Sequence, residues 1–527
     1  MNHSSSLALF LFCGFFFGFL GIPTSAETQE RSFSDTGYGL ETRPDGTFEA
    51  RGYFRARGQS LHNLDLNHGL TPSGRPLYPT PLGGGNTLTH GDFRLRVDGT
   101  AFSPVGTAAV HIRVDILDNL AIGSHPDAPP QTTISQEPVQ AIAIRRAYAE
   151  MLTPFGLFTV GRMGSHWGLG ILTHGGDDLD SDSGDSADRV AFITPIAGHI
   201  WALAYDNAFS GPQTLRPNGQ RTIDLDPTDD VRAITFAFLR YETDEAIHRR
   251  REAELTTVNY GATFSARWQR NDVPASYLPT AAPIDESQIL YRGLRAFAFD
   301  SWLRLDFPKA RIEAELAILQ ARIDQASLLP GVQYTAPLDS FQVGAALETE
   351  FAPGAGRFSF GVDAGIASGD PAPGFGAFPG PFDSPAEPGD LDGPQANPPT
   401  DNRADNFRFH PDYHIDRILF REIIGTVTDA AYLRPHITWH IGNWGPSTLR
   451  ARFATVASTA LYASSTPGQA RPLGVELNPT LEYESYQNLS LALQHGLLFP
   501  LAGLDNVQEG LRAQPAQSLQ LRLVIGF

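Results

Sequence analysis

An acidic segment, GGDDLDSDSGDSAD beginning at Gly175, places carboxylates at nearly every second residue. Carboxylate oxygens are the ligands that Ca²⁺ prefers in proteins. In the spacing D-x-D-x-D-x-G the glycine lies one position away from the glycine of an EF-hand loop. The glutamate that occupies the twelfth position of an EF-hand loop is also missing. The segment therefore predicts either a calcium site in an extracellular loop or a solvated acidic loop that binds lipopolysaccharide through divalent ions. The predicted calcium ligands are Asp178, Asp180, Asp182 and Asp185.

Histidines are the second group with chemical potential, because the chain has 15 of them. His436 and His440 would share a strand face, but four residues along a strand span about 13 Å, which is too far for one metal ion. The sequence shows no metalloprotease motif and no histidine–serine pair with an orienting group. We therefore expect no enzyme and no cofactor other than the calcium. An outer-membrane hydrolase, with its catalytic groups on the lipid-facing rim, is the alternative.

Charged residues alternate with apolar ones in several segments. In FEARGYFRAR, residues 48–57, Arg51, Arg55 and Arg57 share one strand face, whereas Phe48 and Phe54 share the other. Successive side chains of a strand point to opposite faces. The segments DFRLRVDGTA, RIEAELAI and RFSFGVDAGI alternate in the same way, and their apolar faces carry no charge. The pattern predicts strands with one face toward water and one toward an apolar environment.

About eighteen such segments follow one another, an even number as a single-chain bacterial barrel requires. The joins after odd-numbered strands are long, as at 118–140 and 368–429, whereas those after even-numbered strands are short, such as SPVG and PIAG. The one exception is ETDEAIHRRREAE at 242–254. This parity predicts an all-β fold, a transmembrane antiparallel β-barrel of about 18 strands with long extracellular loops and periplasmic short turns.

Two features fit this barrel less well. Pro479 lies inside the strand VELNPTLEYE, where a closed sheet would lose a hydrogen bond, so we expect a bulge or a different boundary there. The strand at 188–194 is short for an apolar band of about 25 Å.

The charged faces of the predicted strands would form two opposed walls of an aqueous lumen. Strands three and twelve are half a turn apart in a barrel of eighteen, so a basic wall would face an acidic one. Reversing Arg94 and Arg96 to Glu should then shift ion selectivity toward cations. The alternative is that neighbouring opposite charges only neutralise each other. The lumen candidates are Arg51, Arg55, Arg57, Arg94, Arg96 and Arg113 on the basic wall, and Glu313, Glu315, Glu348, Glu350 and Asp363 on the acidic wall.

The long join at 368–429 combines a Gly/Pro/Asp-rich part with a second part in which Ile415, Ile418 and Ile423 recur at helical spacing. We predict a short helix before strand 14, capped by Asp412 and ended by Gly425. We favour an inward position, in which the join narrows the lumen, over a position on the outer rim. The polar residues of this predicted helix are Asp416, Arg417, Arg421 and Glu422.

The two ends of the chain and its charge indicate the compartment. Residues 1–26 contain the apolar run LALFLFCGFFFGFL followed by small residues, which is typical of a cleaved signal peptide. Residues 27–47 would be a short periplasmic segment, and 48–527 the barrel. The net charge of −19 argues against a nucleic-acid partner. The final strand alternates apolar residues and closes on Phe527, which resembles the signal read by the barrel-assembly machinery of Gram-negative outer membranes.

A family resemblance rests on SGDPAPGFG, on FHPDY…D…LFREIIGTVTDAAYLRP and on the final strand. These motifs resemble an uncharacterised family of exported deltaproteobacterial barrels, which is similar in outline to the alginate-export porins. The resemblance implies an outer-membrane channel, in contact with lipid and lipopolysaccharide, that passes small or oligomeric hydrophilic solutes passively. The alternative from a different class is a structural or adhesive barrel that the 368–429 loop seals.

Overall fold

The computed structural model describes residues 48–125, 127, 131–134, 142–277, 284–327, 333–334, 336–352, 356–375, 386–398, 401–485 and 487–527. The predicted signal peptide, 1–26, and the segment 27–47 lie outside these residues. Eighteen strands form one sheet. In chain order they are β1 (Phe48–His62), β2 (Thr87–Phe102), β3 (Ala108–Ala121), β4 (Ile142–Thr153), β5 (Gly156–Gly164), β6 (Ser186–Ile196), β7 (His199–Ala208), β8 (Val231–Arg240), β9 (Thr257–Asp272), β10 (Leu290–Phe307), β11 (Ala310–Ile323), β12 (Leu338–Phe351), β13 (Phe358–Ala367), β14 (Ala430–Trp444), β15 (Ser447–Ala460), β16 (Pro472–Glu484), β17 (Leu489–Pro500) and β18 (Ala516–Gly526).

The sheet closes on itself, because β18 pairs with both β17 and β1 in antiparallel register. Tyr53 lies opposite Gly526 in this last pair. One step further, the Gly52 N–H donates to the Phe527 carbonyl at 3.0 Å and the Phe527 N–H donates back at 2.9 Å. Closure pairs the backbone groups that an open edge would leave free. The prediction of an 18-stranded antiparallel barrel is confirmed.

The two faces of the wall differ as the alternation predicts. In β18, Leu519, Leu521 and Ile525 point outward and remain exposed, whereas Ser518 and Gln520 point inward and are buried. The main apolar core lies inside the barrel, where Phe407, Phe409, Ile418 and Leu419 of the segment before β14 pack against inward residues of the wall such as Leu61, Leu473 and Leu498. The wall therefore has an apolar outer surface and an interior that loops partly fill.

The connections keep the predicted parity. Two-residue turns join β4 to β5 and β10 to β11, whereas long segments follow odd-numbered strands. The exception at 242–254 contains the helix α1 (Asp244–Glu252), where the Thr243 side chain accepts a hydrogen bond from the Ala246 N–H at 3.3 Å. Among the described residues, no helix has the length and apolarity that a membrane crossing needs. The barrel thus has a short-turn end and a long-loop end.

The structure shows how the barrel accommodates Pro479 and the strand predicted at 188–194. Pro479 lies in β16 directly opposite Phe453 of β15, and the register on either side of it is unchanged, so the expected bulge is wrong. On the other side of β16, the pairing with β17 omits Asn478 and Pro479 and resumes in the same register at Thr480. The strand predicted at 188–194 extends over the 11 residues of β6.

Candidate functional site

The acidic segment between β5 and β6, residues 165–185, lies inside the barrel rather than at its outer surface; we call it the acidic loop. The Arg94 guanidinium donates to the Ser181 carbonyl at 2.6 Å, and Arg96 donates to the Gly176 carbonyl at 2.7 Å. Arg146 of β4 donates to the Gly175 carbonyl at 2.7 Å. Arginines of the barrel wall therefore hold the backbone of this loop, which the sequence pattern alone had placed outside.

Asp180, in the acidic loop, binds four arginines from three different parts of the chain. Its carboxylate oxygens lie 3.4 Å from Arg57, 3.0 Å from Arg417, 2.7 Å from Arg421 and 3.4 Å from Arg522. Charge-assisted bonds of this kind are roughly twice as strong as neutral ones. One carboxylate thus joins β1, β18 and the segment before β14 at the same point.

Asp182, two residues further along the acidic loop, completes the contact with β1 and β2. Its carboxylate lies 3.1 Å from Arg55, 2.9 Å from Arg57 and 3.9 Å from Arg94. Asp92 also contacts Arg55 and Arg57. We define the arginine–aspartate cluster as the six arginines that contact Asp180 or Asp182, with the four aspartates that contact them. Its members are Arg55, Arg57, Arg94, Arg417, Arg421, Arg522, Asp92, Asp118, Asp180 and Asp182.

The cluster carries more positive than negative formal charge, because six guanidinium groups face four carboxylates. Arg55 and Arg94 are almost fully buried behind the acidic loop, whereas Arg417, Arg522 and Asp182 keep part of their side chains accessible to solvent. A partly accessible cationic surface inside a low-dielectric wall attracts anionic groups.

Further predicted members of the basic wall are also paired. Arg96 donates to Asp115 at 2.7 Å, and Arg113 donates to Asp98 at 2.6 Å. Both arginines are buried. Arg51 lies apart from them at the start of β1 and is largely exposed. The cross-strand pairing that the sequence left as an alternative therefore accounts for much of this wall.

The acidic wall binds the acidic loop and also the segment before β14. Glu315 of β11 accepts a hydrogen bond from the Gly170 N–H of the acidic loop at 2.9 Å. Glu348 accepts one from the Tyr413 hydroxyl at 3.0 Å. Glu313 instead accepts from the Trp302 indole at 2.8 Å, within the wall itself. The acidic loop therefore reaches from the β1–β4 wall to β11 on the other side.

Two acidic-wall candidates, Asp363 and Glu350, face cations of neighbouring strands. Asp363 of β13 lies 3.2 Å from Arg434 and 3.3 Å from His436. Glu350 of β12 is directly opposite Arg311 of β11 in the strand register.

The predicted helix before β14 is replaced by one π-helical turn, Leu419–Ile423. Asp412 does not cap it, since its carboxylate accepts from the backbone N–H groups of Asp182 and Ser183 at 2.9 and 3.0 Å. Asp416 takes that place and accepts from the Phe420 and Arg421 N–H groups at 2.9 and 3.1 Å. Gly425, with φ of 90°, follows the turn as predicted for a helix end.

The turn lies inside the barrel, which is the inward position that the sequence analysis favoured. Ile418 and Leu419 are buried in the main core. Glu422 accepts from the Gln59 amide of β1 at 2.8 Å and from the Tyr78 hydroxyl at 3.2 Å. We call residues 410–425 the inner turn. It is described continuously, whereas 376–385 and 399–400 of the same join lie outside the described residues.

Glu476 of β16, which the sequence analysis did not identify, holds the inner turn in place. Its carboxylate accepts from three consecutive backbone N–H groups, Arg417 at 2.7 Å, Ile418 at 3.1 Å and Leu419 at 3.0 Å. In the sequence, the only sign of this role is that Glu476 is a single glutamate between the apolar residues Val475 and Leu477 on a predicted strand. Its partners, however, lie nearly sixty residues away.

Replacing Glu476 by Ala should release the inner turn, because three buried donors would lose their acceptor at about 1–3 kcal/mol for each unsatisfied group. Hydrogen exchange of peptides covering 415–425 should accelerate by roughly tenfold or more. Glu482→Ala, which removes an inward glutamate of the same strand paired with Arg450, should leave these amides protected. Equal exchange in the two variants would show that Glu476 does not hold the turn.

His174, His410 and Asp412 bring three metal-ligating groups within 4.8 Å of one another. The ring nitrogens are already in use, however. The Gly176 N–H donates to His174 Nδ1 and the Asp412 N–H donates to His410 Nδ1, each at 3.1 Å. In a neutral imidazole the other nitrogen then carries the proton. The link between the acidic loop and the inner turn comes instead from the Asp412 carboxylate, which accepts from Asp182 and Ser183, and from the stacked rings of His174 and His410.

The four predicted calcium ligands do not converge on one point with free oxygens. Asp180 and Asp182 face arginines, as described above. Asp178 lies 3.4 Å from His174, and Asp185 lies 3.6 Å from His410. Calcium binding by this loop stays a prediction, and the visible partners of its carboxylates are side chains of the barrel interior.

No family model and no curated protein matches the chain. Among solved structures, it resembles the outer membrane protein OpdK from Pseudomonas aeruginosa at 10% identity, over 91% of this chain and 99% of that chain, with a TM-score of 0.43. A BenF-like porin from Pseudomonas fluorescens matches at 10% identity over 91% and 98%, with a TM-score of 0.45. At such low similarity we base no functional argument on these likenesses. The resemblance to deltaproteobacterial barrels and alginate-export porins stays a prediction.

Proposed function

We propose that the protein is an outer-membrane, porin-like channel for the passive passage of small or oligomeric hydrophilic solutes. The observation that carries this proposal is that inward-facing charged side chains remain accessible beside the two inner segments. Arg450 and Glu482, near the short-turn end, keep 37% and 25% of their side chains exposed, and Asp182, at the arginine–aspartate cluster, keeps 24%. A charged, wetted interior within an apolar wall suits the transfer of polar solutes.

The apolar outer surface of the barrel wall supports a location in the outer membrane. Its exposed Leu, Ile, Val and Phe side chains would contact lipid, as in the outward face of β18. Only a closed barrel or helices satisfy every backbone group in that environment. The proposal places the long loops outside, near lipopolysaccharide, and the short turns in the periplasm, with a cleaved signal peptide and Phe527 as the barrel-assembly signal. A non-enzymatic role is part of the proposal.

A sealed structural barrel is the competing function, because the acidic loop and the inner turn together occupy the middle of the lumen. The two proposals differ in one measurable property. Liposomes that contain the refolded protein should swell in isotonic small sugars if the channel is open, and the swelling rate should fall as the sugars become larger. Folded, inserted protein without any swelling would favour the sealed barrel.

Replacing Arg522 by Gln should shift the reversal potential in a salt gradient toward cations. Arg522 is a partly accessible member of the arginine–aspartate cluster, so the substitution lowers the local positive charge by one. Gln520 still donates to Asp180 at 3.1 Å and helps to hold the loop. Arg403→Gln, which alters an exposed arginine paired with Asp405, is the matched control. An identical reversal potential in both variants would place Arg522 outside the ion path.

A further inference from the structure

A second group of acidic residues lies in the long loop between β7 and β8, at the long-loop end of the barrel. Asp224 ends the second strand of a small hairpin, Gln213–Leu215 paired with Thr222–Asp224, and Asp230 directly precedes β8. One carboxylate oxygen from each of Asp224, Asp229 and Asp230 lies within 4.8 Å of the other two. Three like charges at such distances repel one another unless a cation or proton lies between them.

Asp229 carries the argument, because its side chain is buried at 0% exposure and neither carboxylate oxygen has a hydrogen-bond donor among the described residues. A buried carboxylate without a donor costs free energy of folding. The loop nevertheless encloses this group tightly, since a Cβ added at Gly211 would collide with its oxygens.

The neighbours of Asp229 do not neutralise it. Asp226 accepts from the Thr228 N–H at 3.0 Å and from the Asn271 amide of β9 at 3.0 Å, so both its oxygens are engaged. The Arg232 guanidinium of β8 lies 4.0 Å from the carboxylate of Asp230, not from that of Asp229. Asp272 at the end of β9 lies 2.9 Å from the Arg292 guanidinium, which therefore serves a different carboxylate.

We propose that Asp224, Asp229 and Asp230 form a calcium site that fastens the β7–β8 loop to the barrel. Ca²⁺ takes about six to eight oxygen ligands, and three carboxylates supply roughly three to six of them, so backbone carbonyls and water complete the shell. Ca²⁺ fits better than Mg²⁺, because a buried carboxylate demands a cation that gives up its water readily. The site differs from the segment 178–185 that the sequence suggested, and it does not depend on whether the barrel conducts.

Calcium binding can be measured by isothermal titration calorimetry on the refolded barrel in detergent, after removal of bound ions with EDTA. We expect one Ca²⁺ per chain, with affinity weakened by roughly tenfold or more in Asp229→Asn, because fewer charged ligands lower calcium affinity. Asp339→Asn, which alters an exposed aspartate paired with Arg322, is the matched control and should bind as the wild type does. Should Asp229→Asn fail to fold, Asp224→Asn provides the same test.

Protease sensitivity of the loop gives an independent readout. Ca²⁺ should protect residues 209–230 from cleavage in the wild type, whereas EDTA should expose them. In Asp229→Asn, calcium should make no difference to the cleavage rate. Absence of calcium binding by the folded wild type would overturn the proposal. So would binding that survives in Asp229→Asn and disappears in Asp178→Asn of the acidic loop, and equal affinity for Mg²⁺ would overturn the choice of calcium.

Discussion

Asp180→Asn is expected to make the channel more selective for anions and to loosen the acidic loop. The substitution removes the negative charge that Arg57, Arg417, Arg421 and Arg522 share. Six arginines would then face three carboxylates, and the accessible ones would attract anions more strongly. Removing one partner of a buried ion pair lowers the free energy of unfolding by about 3–5 kcal/mol. Because solvent reaches part of this site, we expect a loss at the lower end of that range.

The measurement is the reversal potential in a salt gradient, combined with hydrogen exchange of residues 165–185. Asp339→Asn is the matched control, because Asp339 at the start of β12 is 51% exposed and pairs with Arg322 instead of an arginine of the cluster. The control should retain the wild-type selectivity and protection. A reversal potential of Asp180→Asn that equals that of the control would remove the arginine–aspartate cluster from the ion path.

Deleting the inner turn, residues 410–425, should raise the single-channel conductance several-fold, because it removes a segment that occupies part of the lumen. The chain enters and leaves this turn at one place, since the Phe409 N–H donates to the Val427 carbonyl at 3.0 Å and Arg408 pairs with Thr428. An Asn-Gly pair can therefore join residues 409 and 426 as a tight turn. The deletion removes Arg417 and Arg421 from the lumen together with the apolar residues that fill it.

A deletion of similar kind at the surface controls for the effect of shortening a loop. Residues 217–220 form the tip of the hairpin between Leu215 and Thr222 and are exposed. Removing them should leave the conductance unchanged. If the inner-turn deletion folds, inserts and conducts like the wild type, the inner turn does not limit the passage.

The barrel itself was predictable, because its signals are local and repeated. A strand shows its two faces within ten residues, and the alternation of short and long joins adds a second, independent regularity over the whole chain. Even β6 was found, although its length was underestimated. The bulge expected at Pro479 was wrong because the strand keeps its register there while two residues drop out of the pairing with β17.

The interior was predictable only in part, because its contacts join residues that are far apart in the chain. The four arginines around Asp180 lie 123 to 342 residues from it along the sequence. Nothing in the acidic segment distinguishes a loop that binds calcium outside from one that binds arginines inside.

The inner turn shows the same limit at the level of secondary structure. Ile415, Ile418 and Ile423 indicate a helix by their spacing, but Glu476 and Asp416 take up the backbone N–H groups, and only one turn forms. The prediction that Asp412 caps a helix was therefore wrong, because it used only the spacing of neighbouring residues. A carboxylate that arrives from a distant strand has no counterpart in the local pattern.

We propose that solutes pass through the barrel beside the acidic loop and the inner turn. The most direct test is the single-channel conductance of the refolded mature protein in a planar bilayer, with a salt gradient across it. We expect discrete conductance steps and a reversal potential on the anion side, because arginines outnumber carboxylates in the partly accessible arginine–aspartate cluster. Electrical silence from protein shown to be folded and inserted would contradict the account and favour a sealed barrel.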